Sequence, residues 1–215
     1  MRLAELSERS GVSTATIKYY LREGLLPPGR RITATQSEYD EEHLRRLRLV
    51  RALIQIGRVP VNTAREVVAA VEDDSRDQLS RLGTAVEALP SGPEPDERDP
   101  ATDLARRTAT ELLERVGWRF GLAIAGHARA FQTLVAAIAA LHRLGYPCDL
   151  ADLLPYARSA AELAVSELDL VEEYRTPAER VEAAVAATVL YEPVLLSLRR
   201  LAEAEESNKR FGDGP

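Results

Sequence analysis

Residues 90–100 read PSGPEPDERDP, with four prolines and no large apolar side chain. Such a stretch can neither continue a helix nor bury itself, because proline lacks an amide donor and nothing here packs. It reads as a linker. On either side the pattern is helical, with apolar residues recurring at i, i+3 and i+4 and punctuated by Gly and Pro. The chain is therefore expected to be mainly α. Residues 1–74 form a first domain, 75–100 a connecting helix and linker, and 101–210 an all-helical domain. The 215 residues allow that number of domains.

Charge divides along the same line. Residues 1–58 hold 11 Lys/Arg and 7 Asp/Glu, and residues 59–215 hold 17 and 27. The net −6 thus splits into +4 and −10. A basic head on an acidic body points to an anionic partner for the head. The single Cys148 excludes an internal disulfide and fits a reducing cytoplasm. No leader or apolar run of spanning length is expected, so no membrane partner is either.

The first 70 residues carry the sharpest pattern. Leu3, Leu6 and Val12 surround a short helix that Gly11 breaks. Ser13 is a good N-cap for a second helix, from about Thr14 to Glu23, with Gly24 as its C′ residue. Two short helices with a Gly-containing break and a cationic second helix describe a helix-turn-helix, whose second helix enters the DNA major groove. Residue types suit that task. Lys18 and Arg22 neutralise phosphates, Thr14, Thr16 and the hydroxyls of Ser13, Tyr19 and Tyr20 offer polar contacts, and Ala15 permits close approach. Tyr19 and Tyr20 are adjacent, so one helix face cannot bury both. The segment RRITATQSEY suits a two-stranded wing, with Arg30 and Arg31 reaching the flanking backbone. Asp40 caps a third helix with the stripe Leu44, Leu47, Val50, Leu53 and Ile54. On it Arg45, Arg46, Arg48 and Arg51 read as a solvated face, with one or two of them touching phosphate. Pro60 belongs in the first turn of a fourth helix, and a fifth covers 75–89.

LAELSERSGVSTATIKYYLREGLLPP followed by SEYDEEHLRRLRLVRALIQIGRVPVNTAREVV resembles the MerR family of transcriptional regulators over residues 2–72. The resemblance implies a winged helix-turn-helix and double-stranded DNA as partner. It places Lys18 where the family usually has arginine, and matches Tyr19 and Tyr20 to the paired aromatics. Arg30 or Arg31 matches the cation that opens the wing. The family's Gly-Tyr-Arg wing turn is replaced by Gln36, Ser37 and Glu38, while Tyr39 is kept.

Beyond the linker, helices are expected at 101–117, 119–144, 149–173, 177–190 and 192–206, separated by Gly and Pro. On one helix 119–144, His127 and His142 would lie about 60° apart but over 20 Å distant, too far to share a metal. No metal, cofactor or catalytic constellation is expected. ADLLPYARSAAELAVSEL and VLYEPVLLSLRRLAEAEES are similar to the ligand-binding and dimerisation region of TetR-type regulators. That likeness implies a small hydrophobic or organic ligand, with Trp118, Phe120, Phe131, Tyr146, Tyr156 and Tyr174 as candidate walls. Val181, Val185, Val189, Leu195, Leu196 and Leu198 offer a surface for a homodimer. The function expected is a regulator that binds a palindromic promoter site as a homodimer; the alternative is a DNA-architectural or excisionase-like protein without effector. Removal of residues 101–215 is expected to spare the head's fold.

Overall fold

The structure is a computed structural model that describes residues 1–33 and 36–212. Helix α1 spans Leu3–Ser10 and α2 Thr14–Arg22. Strands β1, Arg30–Arg31, and β2, Ser37–Glu38, pair antiparallel with Arg30 opposite Glu38 and Arg31 opposite Ser37. Ala34 and Thr35, at the tip of the expected wing, lie outside the described residues. Then come α3 (Glu41–Arg51), a π-helical turn (Ala52–Ile56), α4 (Val61–Glu72) and α5 (Gln78–Ala88). After the linker follow α6 (Pro100–Arg115), α7 (Arg119–Ile124), α8 (Arg129–Leu144), α9 (Leu150–Glu172) and α10 (Pro177–Phe211). The described chain is thus mainly α with one small sheet, as the periodicity predicts.

The local signals act as expected at the front of the chain. Ser13 accepts from the Thr16 amide at 3.1 Å and caps α2. Gly11 and Gly24 hold φ of +65° and +71°, the left-handed conformation that ends a helix. The Asp40 carboxylate accepts from the amides of Glu42 and His43, the Asp40 amide donates to His43 Nδ1 at 3.3 Å to close the capping box, and the His43 ring nitrogen also lies 2.6 Å from the Asp40 carboxylate. Pro60 sits at the N-cap of α4, one position before the expected first turn.

Two compact units emerge. One holds Met1–Leu89 together with the C-terminal stretch from Tyr174; the other holds Pro90–Glu173. The first has a core of Leu6, Ile17, Tyr20, Leu25, Leu44, Leu47, Leu53, Val67 and Val71, completed by Val181, Val185 and Val189 from α10. Those three valines are therefore intrachain core. Removing residues 101–215 would strip them from the head, contrary to the sequence-based expectation. The second unit packs α6 against α8 around Ala105, Ala109, Leu113, Phe131, Val135 and Ile138, with Cys148 at its edge. Burial pushes the Cys148 thiol up, and Asp152 and Asp149 add to the shift.

Two helix boundaries differ from expectation. The helix expected at 119–144 is two, broken at residues 125–128 around Gly126, with the amides of His127 and Ala128 both donating to Ile124. His127 therefore lies in a turn and His142 on α8. The helices expected at 177–190 and 192–206 are one, and α10 runs through Pro193. Proline deletes one backbone hydrogen bond; the Leu, Ala, Arg and Glu that follow are strong helix formers and carry the helix on. For the same reason α9 passes through Pro155.

By length and composition α10 could also cross a membrane, although only 28% of its apolar window is buried within the structure. The sequence expectation of no such segment therefore does not hold for this helix.

Candidate DNA-binding surface

Helix α2 sorts its residues by face. Ile17 and Tyr20 are buried, and Thr14, Ala15, Lys18 and Arg22 are exposed. At about 100° per residue these four fall within about 100° of one another, a single outward face. Thr16 is half-buried and its hydroxyl lies 2.8 Å from Ser13 Oγ, so both hydroxyls hold the N-cap. The paired tyrosines divide. Tyr20 is 3% exposed, and burial raises its phenol above the ordinary range. Tyr19 stays half-buried at the edge of the outward face, its ring 5.9 Å from that of Tyr20. Arg22 stacks 5.3 Å from the Tyr19 ring and lies 3.6 Å from Glu23, with its guanidinium largely in solvent.

The helix-turn-helix is braced at the end of α1 and at the end of α2. Arg51 of α3 donates to the Ser10 carbonyl at 3.2 Å, the last carbonyl of α1 before the turn. Arg65 of α4 donates to the Glu23 carbonyl at 2.7 Å and to its carboxylate at 3.1 Å. Sequence reading missed both braces, because each spans about 40 residues and only the fold brings the partners together.

In the wing, the two arginines are not equivalent. Arg30 pairs with Glu38 directly across the strands, and this hydrogen bond holds the Glu38 carboxyl below its usual range. Arg31 is exposed, with no ion-pair partner among the described residues. The wing cation left for an anion is therefore Arg31.

The arginines of α3 correct the sequence reading most clearly. Arg46 is 3% exposed; its Nη2 lies 3.2 Å from Glu182, and its Nη1 lies 2.7 Å from Glu72 but off the hydrogen-bond direction. Arg45 donates to Glu182 at 2.6 Å and to Glu179 at 3.3 Å. These two side chains hold α10 against the head. They were expected to be solvated because Glu179 and Glu182 lie over 130 residues away. Arg48 and Arg51 are both exposed with no ion-pair partner among the described residues, but Arg51 is engaged with Ser10 and Gln55, which leaves Arg48 for an anion.

The outward face of α2, with Arg31 and Arg48, is a set of exposed cations beside short hydroxyls. Residues 1–71 match the MerR HTH family regulatory protein family. A solved structure of a candidate transcriptional regulator from Streptomyces coelicolor A3(2) is 55% identical over the whole of both chains, with a TM-score of 0.87. The chain belongs to the MerR family. Among curated relatives, the HTH-type transcriptional regulator ZntR homolog of Haemophilus influenzae is 38% identical over 50 residues, 23% of this chain and 37% of the relative. The HTH-type transcriptional regulator AdhR of Bacillus subtilis is 32% identical over 57 residues, 26% and 41% of the two chains. The heavy metal-dependent transcription regulator 2 of Rhizobium meliloti is 32% identical over 89 residues, 41% and 60%. This MerR-family chain thus spans between 37% and 60% of the length of those curated relatives. All are named as transcriptional regulators, and none as an enzyme.

The aromatics expected as ligand walls are not gathered into one site. Phe131 is 8% exposed in the core of its unit. Phe120, Tyr146 and Tyr156 are about 60% exposed, and Tyr174 belongs to the other unit. Trp118 borders an open groove of about 330 Å³ lined also by Arg115, Leu154, Arg158 and Glu162. The two segments similar to TetR-type regulators fall in different units, α9 in the second and α10 in the first. Among the described residues no three His, Cys, Asp or Glu side chains are grouped to hold a metal ion.

Proposed function

We propose that this chain is a cytoplasmic DNA-binding transcriptional regulator that binds a palindromic promoter site as a homodimer and responds to a small organic ligand. The observation that carries the reading is the outward face of α2: Thr14, Ala15, Lys18 and Arg22 exposed on one side, Ile17 and Tyr20 buried on the other. In a helix-turn-helix that face lies in the major groove, where Lys18 and Arg22 meet phosphate or base edges and Tyr19 stands beside the backbone. Arg31 reaches the flanking phosphates from the wing. One such helix reads few base pairs, and two copies about one DNA turn apart read an inverted repeat.

The ligand reading draws on the second unit, which has a core of its own and a groove beside Trp118. A ligand there biases the DNA-bound state only through different affinity for the two states.

Selection of binding sites from random duplexes by the full chain tests the reading. Enrichment of an inverted repeat with half-sites one turn apart is expected. Enrichment of bent DNA without a repeat would point instead to the architectural alternative, and no enrichment would end the proposal.

A further inference from the structure

The second half of α10 carries an apolar stripe that nothing in its own unit covers. Tyr191, Val194, Leu195, Leu198 and Leu201 are each between 44% and 66% exposed. They are spaced three and four apart, so they share one face. That face is not a continuation of the one buried on the head. At 100° per residue it is turned by about 145° from the line of Val181, Val185 and Val189. Leu196 continues the head-facing line instead. The helix thus presents one side to its own head and another side to something else.

We propose that this stripe is the face on which a second copy of this chain docks. The inference rests on the homodimer reading and assigns it a surface. Three features favour a second copy. The five residues expose on the order of 500 Å², since large side chains carry roughly 150–250 Å² each, against about 800 Å² per partner in a standard interface. That is enough for the apolar centre of a two-fold contact. The five stripe residues carry no charge, and Glu192, Arg199 and Arg200 between them fall on other faces of the helix, so two copies of the stripe meet without like-charge repulsion. Three ion pairs lie within this half of the helix: Arg199 with Glu203 at 3.0 Å, Lys209 with Glu205 at 3.5 Å, and Arg210 with Glu206 at 2.7 Å. A bilayer is a poorer occupant, because Glu192, Arg199, Arg200 and Glu203 interrupt the same stretch.

Sedimentation equilibrium of the full chain tests this. The natural chain is expected as a dimer, and Leu195→Glu with Leu198→Glu as a monomer with unchanged helicity. Single Leu198→Gln, which asks less of folding, is expected to weaken the dimer about 30-fold, the scale of one buried anchor. Leu196→Gln, off the stripe, is expected to leave it intact. A natural chain that is monomeric would overturn the homodimer reading and this inference with it. A natural dimer that survives both stripe variants, or that Leu196→Gln weakens equally, would overturn the inference alone. A natural chain that binds lipid vesicles through these leucines in place of dimerising would overturn both.

Discussion

Tyr19 and Tyr20 are chemically identical neighbours with opposite fates. Tyr20 belongs to the core, so Tyr20→Ala should cost about 3–5 kcal/mol, the range for emptying an aromatic site. Tyr19→Ala should cost far less stability and act instead on DNA affinity. Thermal melts beside a binding isotherm separate the two. Asp40 offers a second residue-scale test. Its carboxyl is held low first by the side-chain hydrogen bond with His43, then by backbone amides. A lowered folded pKa means stability that is present above the ordinary carboxylate range, about 4, and lost as pH falls through the folded value. Asp40→Ala should remove about 1 kcal/mol at neutral pH, the usual worth of an N-cap. The variant should also narrow its gap to the natural protein in acid melts. The N-caps Ser13 and Asp40 and the glycines at 11 and 24 were all legible in the sequence, because each acts on amides or dihedrals within four residues.

At the scale of elements, legibility fails wherever a partner is distant in sequence. The stripe of α3 was readable, yet the roles of Arg45 and Arg46 were not, because their acids lie on α10. Glu182 is 4% exposed and bonded to both arginines. Glu182→Ala would leave Arg46 buried with Glu72 as its remaining acid, at a cost of about 3 kcal/mol, the lower end for breaking a buried pair. A fall in unfolding midpoint in urea with an unchanged slope checks this. The same ion pairs explain why α10 is part of the head's fold. A head truncated at Leu89 should unfold more readily than the full chain, as Val181, Val185 and Val189 leave with α10. Pro193 misled boundary reading because a proline signals a stop only when the residues after it are poor helix formers.

For the whole molecule, the +4 and −10 division places the excess of cations in the head that carries α2, and the DNA reading uses the exposed ones Lys18, Arg22 and Arg31. The family match covers the head, while the full-length likeness is to a protein described as a candidate transcriptional regulator. No ligand site was legible in the second unit, since its aromatics have no spacing rule and the fold scatters them. The functional reading stands or falls on whether α2 binds DNA through Lys18 and Arg22. Affinity for the selected duplex, measured as a function of salt for the natural chain and for Lys18→Ala with Arg22→Ala, decides it. The double variant is expected to bind more weakly, with unchanged helicity and a salt slope smaller by about 0.9 for each phosphate no longer neutralised. A double variant with the natural affinity and the natural slope would contradict the DNA-binding role of this face.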